Sequence, residues 1–323
     1  MRPKAVIVCV SILLAIGLLY FSVRGIDWRE VARTVVKANL AYLAAAATLF
    51  SGTLLLRAVR WRILLNAHGT VDVPTAFWAT AAGYFGNNFL PARAGELVRT
   101  VMVSSQSKLD KAYVLATALS ERAADAAAVM MIGALALLTL PVRPGWLANA
   151  ATPAAILGLT AASMLVVLPW LESAAKSLLD RAPLPLVFRR TLVSVVEQAL
   201  RGIRTFHDAV RLLKFAGLTV IIFSIDALGT VVGGAALGLS IPIVVAFLLI
   251  AALSLGSVLP STPGYVGIYQ FVAVAVLTPF GFSRTDAIAF ILVAQAVSYL
   301  VIGFWGSLGL LRYRRSNLSV SEE

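Results

Sequence analysis

Three clusters of polar residues interrupt the apolar stretches of this chain, and each contains side chains suited to anion binding. The candidate binding residues are, in order, Asn87, Asn88, Arg93, Glu96 and Arg99; Glu121, Arg122 and Asp125; and Ser261, Thr262 and Gln270. No nucleophile–histidine pair and no nucleotide-binding loop accompany them. His68 and His207 are far apart and Cys9 is the single cysteine, so neither a metal site nor a cofactor is predicted.

The first cluster follows an apolar half-run that ends at Pro91. Glu96 and Arg99 are three residues apart and therefore share one face of a helix. A helix that begins after Pro91 would direct its N-terminal amides, together with Arg93, at the break and so form an anion site. The alternative is an ordinary loop whose arginines contact lipid head groups.

The second cluster lies inside the apolar stretch 112–140. Ionisable residues within a membrane helix are costly, so they face the bundle interior and are paired. Arg122 and Asp125 are three residues apart and could pair with each other. Glu121 then leaves a local charge of −1, which Arg93 or Arg99 could balance. The alternative is a purely structural ion-pair network.

The third cluster separates two apolar arms by prolines and glycines, which free backbone groups and the hydroxyls of Ser261 and Thr262. The alternative is a simple hairpin turn. Across the first and third clusters, the residues expected to have a structural role are Pro91, Gly95, Pro260, Pro263, Gly264 and Gly267.

The elements that must position these clusters are membrane helices. Of the 323 residues, 60% are hydrophobic and only 13% are charged, whereas soluble domains have about 45–50% and about 25%. The pattern predicts an all-α polytopic membrane protein with seven to nine membrane segments. The apolar stretches are 5–23, 41–56, 75–90, 112–140, 147–169, 214–239, 242–259, 264–280 and 287–311.

Two of these elements are predicted to be broken or re-entrant. The stretch 75–90 is too short to cross a bilayer core, which takes about 20 helical residues. The pair 242–259 and 264–280 is interrupted by Pro260 and Pro263. Each break precedes a long helix, and the predicted topology opens them on opposite sides. This arrangement is typical of an inverted repeat around a site at the membrane midplane.

Basic residues predict the orientation. The net charge of +12 comes from residues that flank apolar runs, which favours anionic lipid and excludes a nucleic-acid-binding domain. Twenty Lys and Arg residues fall in segments assigned to the cytoplasm and six in external ones, so both termini are predicted to be cytoplasmic. The chain is predicted to be one domain, 1–323, with an amphipathic cytoplasmic segment at about 170–213. A short interfacial helix is expected at 27–37.

Taken in order, these motifs resemble the flippase-like family named for the transmembrane region of lysylphosphatidylglycerol synthase. The matching patterns are Arg57-x-x-Arg60-Trp61, Asn88-x-x-Pro91-x-Arg93-x-Gly95-Glu96-x-x-Arg99, Glu121-Arg122-x-x-Asp125 and Pro260-x-x-Pro263-Gly264-x-x-Gly267. The resemblance implies a protein of a bacterial or archaeal cytoplasmic membrane that moves a lipid between leaflets. The family usually has glycine where Tyr265 stands and commonly glutamate where Gln270 stands, so a carboxylate role at the third cluster is not expected here.

The favoured function is transport of an anionic phospholipid or lipid-linked phosphate. The alternatives are an intramembrane lipid-modifying enzyme with Glu96, Glu121 or Asp125 as base, and a non-catalytic partner in lipid-glycan or hopanoid synthesis. The chain ends soon after its last helix, so lysyl transfer by a following soluble domain is not expected. The expected partners are membrane lipids and, beyond them, a second copy of the chain or a lipid-synthesis enzyme. The glycines Gly229, Gly233, Gly234 and Gly238 favour close helix packing.

Overall fold

The described part of the chain is built from α-helices joined by short turns. The computed structural model describes residues 17–90, 94–140, 151–167, 204–257 and 263–320. Its helices are α1 (17–23), α2 (Trp28–Val36), α3 (Leu40–Leu65), α4 (Val73–Phe89), α5 (Gly95–Gln106), α6 (Lys111–Thr139), α7 (Ala151–Val167), α8 (Ala209–Ala236), α9 (Ile243–Gly256), α10 (Ile268–Leu277) and α11 (Arg284–Val320). Single 3₁₀ turns are Thr205–His207, Pro263–Tyr265 and Thr278–Phe280.

Four of these helices are long and apolar enough to cross a membrane: α3, α6, α8 and α11. The helices α9 and α10 are apolar but shorter, with 14 and 10 residues. Helix α4 has 17 residues, which gives a length of about 25 Å. The fold is therefore the predicted all-α polytopic membrane fold, with short helices between long ones.

Short polar side chains set where several helices begin. The side chains of Asp27, Asn39, Asp72 and Asp208 accept hydrogen bonds from backbone amides in the first turns of α2, α3, α4 and α8. These bonds satisfy amides that have no partner inside the helix. At Asp208, outside the apolar part of α8, the bond from the Arg211 amide holds the pKa of the carboxyl below its usual value.

Both predicted breaks are present as interruptions between helices. Helix α4 ends at Phe89 and α5 begins at Gly95, while α9 ends at Gly256 and α10 begins at Ile268. Pro91 and Pro260 lie outside the described residues. The described flanks nevertheless meet, because α4 contacts the turn Pro263–Tyr265.

The two hairpins enter from opposite ends of the molecule. The amide of Asn39 donates to the carbonyl of Ala236 (2.8 Å), whereas Arg60 contacts Thr219 (3.0 Å), so α3 and α8 are antiparallel. Tyr113 donates to the carbonyl of Leu64 (2.7 Å), which places the end of α3 level with the start of α6. The hairpin α4–α5 between them therefore leaves and returns on one side.

The second half repeats this order. Gly233, near the end of α8, lies beside Phe290, near the start of α11, so the hairpin α9–α10 also returns to the side from which it leaves. Packing is reciprocal: α4 lies against α11 of the second half, and α9 lies against α6 of the first. The helices α3–α6 and α8–α11 thus form the predicted inverted repeat.

Two peripheral predictions have different outcomes. The short helix expected at 27–37 is α2, whose Val31 packs against Ile288 and Ala289 of α11. The amphipathic segment at about 170–213 lies outside the described residues except for 204–213. The prediction of a single domain with this segment inserted therefore stays a prediction.

Candidate functional site

Eight charged side chains from four helices, α3, α5, α6 and α8, form a connected ion-pair network at the centre of the inverted repeat. Its members are four arginines and four carboxylates: Arg57, Arg60, Arg99, Arg122, Glu96, Glu121, Asp125 and Asp226. Their formal charges sum to zero. An unpaired charge in an apolar interior is strongly unfavourable, and this pairing removes that cost.

Arg60 connects α3 to α6 and is fully buried. Its two terminal nitrogens lie 2.6 Å from Asp125 and 2.9 Å from Glu121, and one also donates to Thr219 of α8. The Phe215 ring lies 4.7 Å from the guanidinium carbon. Arg60 is therefore the residue that joins three long helices in one polar contact.

Arg99 is the cation that pairs with Glu121, one of the two arginines that the sequence offers for this charge. Its Nε lies 2.5 Å from Glu96 on the same helix, and its Nη1 lies 2.8 Å from Glu121 on α6. The Trp61 ring covers the guanidinium at 4.4 Å. Arg99 and Glu121 are both buried and do not line the cavity described below.

The spacing suggests that Arg122 and Asp125 could pair with each other. In the structure each is paired with a residue of another helix instead. Arg122 donates from Nε to Glu96 of α5 at 2.8 Å, whereas Asp125 contacts Arg60 of α3. Both side chains line the same cavity, and their partners come from the two helices that approach this face of α6, α5 for Arg122 and α3 for Asp125. The Arg122–Glu96 pair thus joins the second cluster to the first.

Sequence reasoning missed Arg57 and Arg60 as site residues. The hydropathy of the sequence ends the apolar stretch 41–56 before both arginines and therefore predicts that they lie in a cytoplasmic loop. The structure corrects this, because α3 continues to Leu65 and places both inside the long helix. Their spacing of three residues in a helix, noted only as part of the family pattern, was the signal that could have found them.

Asp226, an acidic residue isolated within the apolar stretch 214–239, is the partner of Arg57. The two side chains are 2.6 Å apart, and Arg57 also lies 3.9 Å from Asp125. Arg57 and Arg122 both lie over the Tyr84 ring, at 5.9 and 5.1 Å from its centroid. The two guanidinium carbons are therefore no farther apart than the sum of these two distances, around one tyrosine ring.

A cavity of about 720 Å³ opens beside the network. One wall is charged and polar: Arg57, Tyr84, Asn87, Asn88, Glu96, Arg122, Asp125 and Asp226. Other walls are apolar or small, and include Leu43, Ala46, Phe50, Gly229, Gly233, Phe290, Ile291 and Val293. The cavity thus places charged and polar groups next to apolar ones, as a molecule with a polar head and a hydrocarbon chain requires.

The amides of the first cluster fix the start of α5. Asn87 accepts from the Gly95 amide (3.0 Å) and donates to Glu96 (3.2 Å), while Asn88 donates to the carbonyl of Tyr84 (2.9 Å). A Cβ at Gly95 would overlap the Gly83 carbonyl oxygen, so glycine is required for this close approach. Arg93 lies outside the described residues, and its phosphate-binding role stays a prediction.

The third cluster is held by neutral groups. Gln270 is buried, accepts from the Gly267 amide (2.7 Å) and donates to Gln295 (2.6 Å). Gln295 in turn donates to the Gly264 carbonyl and to Tyr299 (both 3.0 Å). Gln270 thus lies behind the cavity wall, whereas Gln295 and Tyr299 line it. Ser261 and Thr262 lie outside the described residues.

Tyr265 occupies a backbone conformation that suits glycine. Its φ is +60°, next to Gly264 at +74°, and L-residues other than Asn, Asp and Gly rarely adopt this region. The ring stacks on Tyr269 with centroids 4.8 Å apart, and both rings line the cavity. The conformation explains why glycine is usual here in the related family, and the tyrosine adds an aromatic wall at a cost in backbone strain.

The fold and site together define a polytopic helical membrane protein with an inverted repeat and a charged cavity between its halves. The family described as the lysylphosphatidylglycerol synthase TM region matches residues 8–306. The chain therefore belongs to that family, as its motifs had indicated. Membership indicates a membrane protein of lipid metabolism or transport. Searches of curated proteins and of solved structures returned no match.

Proposed function

We propose that this protein moves an anionic phospholipid or a lipid-linked phosphate between the two leaflets of its membrane. The observation that carries the proposal is the composition of the cavity, which combines two arginines, their carboxylate partners and several neutral polar groups with extensive apolar surface. A phosphate crosses hydrocarbon very slowly unaided because its desolvation is so costly. A cavity with arginines replaces part of the lost hydration.

The head group is assigned to Arg57 and Arg122. Both line the cavity, and the side chain of Arg122 is 36% exposed there. Guanidinium groups bind phosphate oxygens through two parallel hydrogen bonds, a stronger and more directional contact than an ammonium makes. Arg60 and Arg99 lie behind them, and their role is to hold the carboxylates in place.

The hydrocarbon tails are assigned to the apolar walls. Phe50 of α3, Gly229 and Gly233 of α8 and Phe290 of α11 line this part of the cavity. The glycines leave a shallow groove between long helices, where an acyl or prenyl chain packs without a polar partner. The tails can then remain in the lipid phase while the head group crosses.

The inverted repeat provides a route for alternating access. Its two hairpins return to opposite sides, and their inner ends meet where α4 contacts the turn Pro263–Tyr265. Rocking one half against the other around a central site opens it to each leaflet in turn. The proposal places the protein in a bacterial or archaeal cytoplasmic membrane with both termini inside, as a single copy or a homo-oligomer.

The test is lipid movement in liposomes reconstituted with the purified protein and a fluorescent phosphatidylglycerol. Arg122→Gln should lower movement per folded molecule about tenfold or more, because a charged hydrogen bond contributes about 1.5–3 kcal/mol. Arg122→Lys should fall between this variant and wild type, since it keeps the charge alone. Arg315→Gln, at an exposed position near the end of α11, is the matched control and should behave as wild type.

Three other outcomes would contradict the role of Arg122 or the transport function. Equal activity of all four proteins per folded molecule would remove Arg122 from the mechanism. Recovery of a chemically altered lipid would support the enzyme. Neither movement nor alteration would favour the non-catalytic partner of a lipid-synthesis enzyme.

A further inference from the structure

The charge balance of the network has a consequence for what must cross the membrane with the lipid. Four arginines and four carboxylates give a sum of zero in the part of the chain that the structure describes. A phosphodiester that enters the cavity adds one negative charge. At an effective dielectric constant of about 20, one uncompensated charge pair 4 Å apart costs about 4 kcal/mol. Among the described members of the network, no positive charge is left over to balance it.

Asp226 is the carboxylate that loses its partner when a phosphate binds. Glu96, Glu121 and Asp125 each lie within 4 Å of two arginines. Asp226 pairs, among the described residues, with Arg57 alone. When a phosphate binds to Arg57, Asp226 and the phosphate therefore share this one arginine.

The surroundings of Asp226 offer no other charge compensation among the described residues. From α3 it faces Arg57, and the next arginine on that helix, Arg60, is held by Glu121 and Asp125. On the same cavity wall, α6 contributes Asp125 and Arg122, and α4 contributes the ring of Tyr84. The residues of α9 and α11 on the cavity wall are uncharged. Asp125, 3.9 Å from Arg57, is a further anion on the same arginine, which makes the need for a cation greater.

We propose that Asp226 takes up one proton when the anionic head group binds, so that lipid and proton cross together as a neutral pair. The inference rests on the proposed transport function and adds its coupling ion. Two anions that compete for one guanidinium cannot both stay ionised in an apolar site. A phosphodiester is much the stronger acid, so the proton goes to the Asp226 carboxylate. It comes from water on the loading side and leaves, with the lipid, on the other.

A neutral pair makes a sharp thermodynamic prediction. The distribution of a phosphatidylglycerol probe between leaflets should follow the pH difference, about tenfold per pH unit, since one proton accompanies each lipid. It should ignore a membrane potential set by potassium and valinomycin, because no net charge moves. An anion that crosses alone gives the reverse pattern and would overturn the inference while leaving lipid transport in place.

Asp226→Asn provides the matched variant, because it keeps the shape of the side chain and cannot carry the proton. The pH difference should no longer shift its lipid distribution, and the membrane potential should begin to do so. A role in folding alone would lower the amount of protein without changing which gradient the lipid follows. Asp208→Asn is the control: this carboxylate caps α8 outside the site, and the variant should follow pH as wild type does.

A second measurement does not depend on a folded variant. Short-chain phosphatidylglycerol added to wild-type protein in weakly buffered detergent should remove one proton per bound lipid from solution, as followed with a pH-sensitive dye. The zwitterionic short-chain phosphatidylcholine should remove none, because its ammonium supplies the extra charge. Lipid movement without proton uptake would refute the coupling. No lipid movement under any gradient would refute the transport function and the coupling with it.

Discussion

The two hairpins have the same place in the inverted repeat, but they are held by different chemistry. At the first, α4–α5, charged groups join the hairpin to the long helices through Glu96 and Arg99. At the second, α9–α10, amides and a phenol do this through Gln270, Gln295 and Tyr299. Seven of the eight charged residues of the network belong to the first half, α3–α6, and only Asp226 belongs to the second. One hairpin is therefore held by charged groups and the other by neutral ones, although both adjoin the same cavity.

The two kinds of contact should also contribute differently to stability. Buried ion pairs are costly to break, because removal of one partner leaves an uncompensated charge. Neutral hydrogen bonds contribute less each, and their loss costs less. Substitutions at the charged hairpin should therefore have larger effects than matched substitutions at the neutral one.

The largest effect is expected for Arg60→Gln. It removes the fully buried cation between Glu121 and Asp125, and loss of one partner from a buried pair costs about 3–5 kcal/mol. The measurement is thermal unfolding in detergent together with the yield of monodisperse protein. Arg33→Gln, at an exposed position in the last turn of α2, is the control and should unfold as wild type does. Equal unfolding of both variants would contradict a structural role for the network.

The sequence predicts those features of the charged half that depend on neighbouring residues, and it misses those that depend on residues far away in the chain. The stretch 112–140 predicted α6 (Lys111–Thr139) nearly to the residue, since apolar periodicity is local. The stretch 41–56 ended too early, because Arg57 and Arg60 lower the local hydropathy. Their charges are neutralised by partners 61 to 169 residues away in sequence. No local pattern reports such partners.

The pairing of the second cluster shows the same limit. Spacing correctly indicated that Glu121, Arg122 and Asp125 need partners inside the bundle. It could not choose between Arg122–Asp125 and Arg122–Glu96, because that choice depends on which helix packs on each side of α6. Asp226 gave no local signal beyond its isolation among apolar residues, and only the antiparallel packing of α3 and α8 identifies its partner.

The next effect concerns the close approach of α4 and α5 at the charged hairpin. Gly95→Ala would place a methyl group against the Gly83 carbonyl and the Asn87 side chain. Because a backbone atom cannot move away cheaply, the cost should reach the upper part of the range for overpacking, about 1–3 kcal/mol. Thermal unfolding of Gly52→Ala is the control. That glycine lies within α3 with nothing near its Cβ position, and the variant should be at least as stable as wild type.

The smallest effect tests the neutral hairpin directly, by restoring the glutamate that the related family commonly has at position 270. In Gln270→Glu one carboxylate oxygen can still accept from the Gly267 amide, but the other meets the carbonyl oxygen of Gln295. Gln295 cannot turn its amide over without losing its bonds to Gly264 and Tyr299. An ionised carboxylate would face this second acceptor without a donor between them, which costs about 1–3 kcal/mol, so at a pH where the introduced carboxyl is ionised the variant should unfold at lower temperature than wild type. Gln106→Glu, at an exposed position ending α5, should show no such loss. If Gln270→Glu is as stable as wild type, the amide pair does not hold this hairpin, and the contrast between a charged and a neutral hairpin fails at its neutral end.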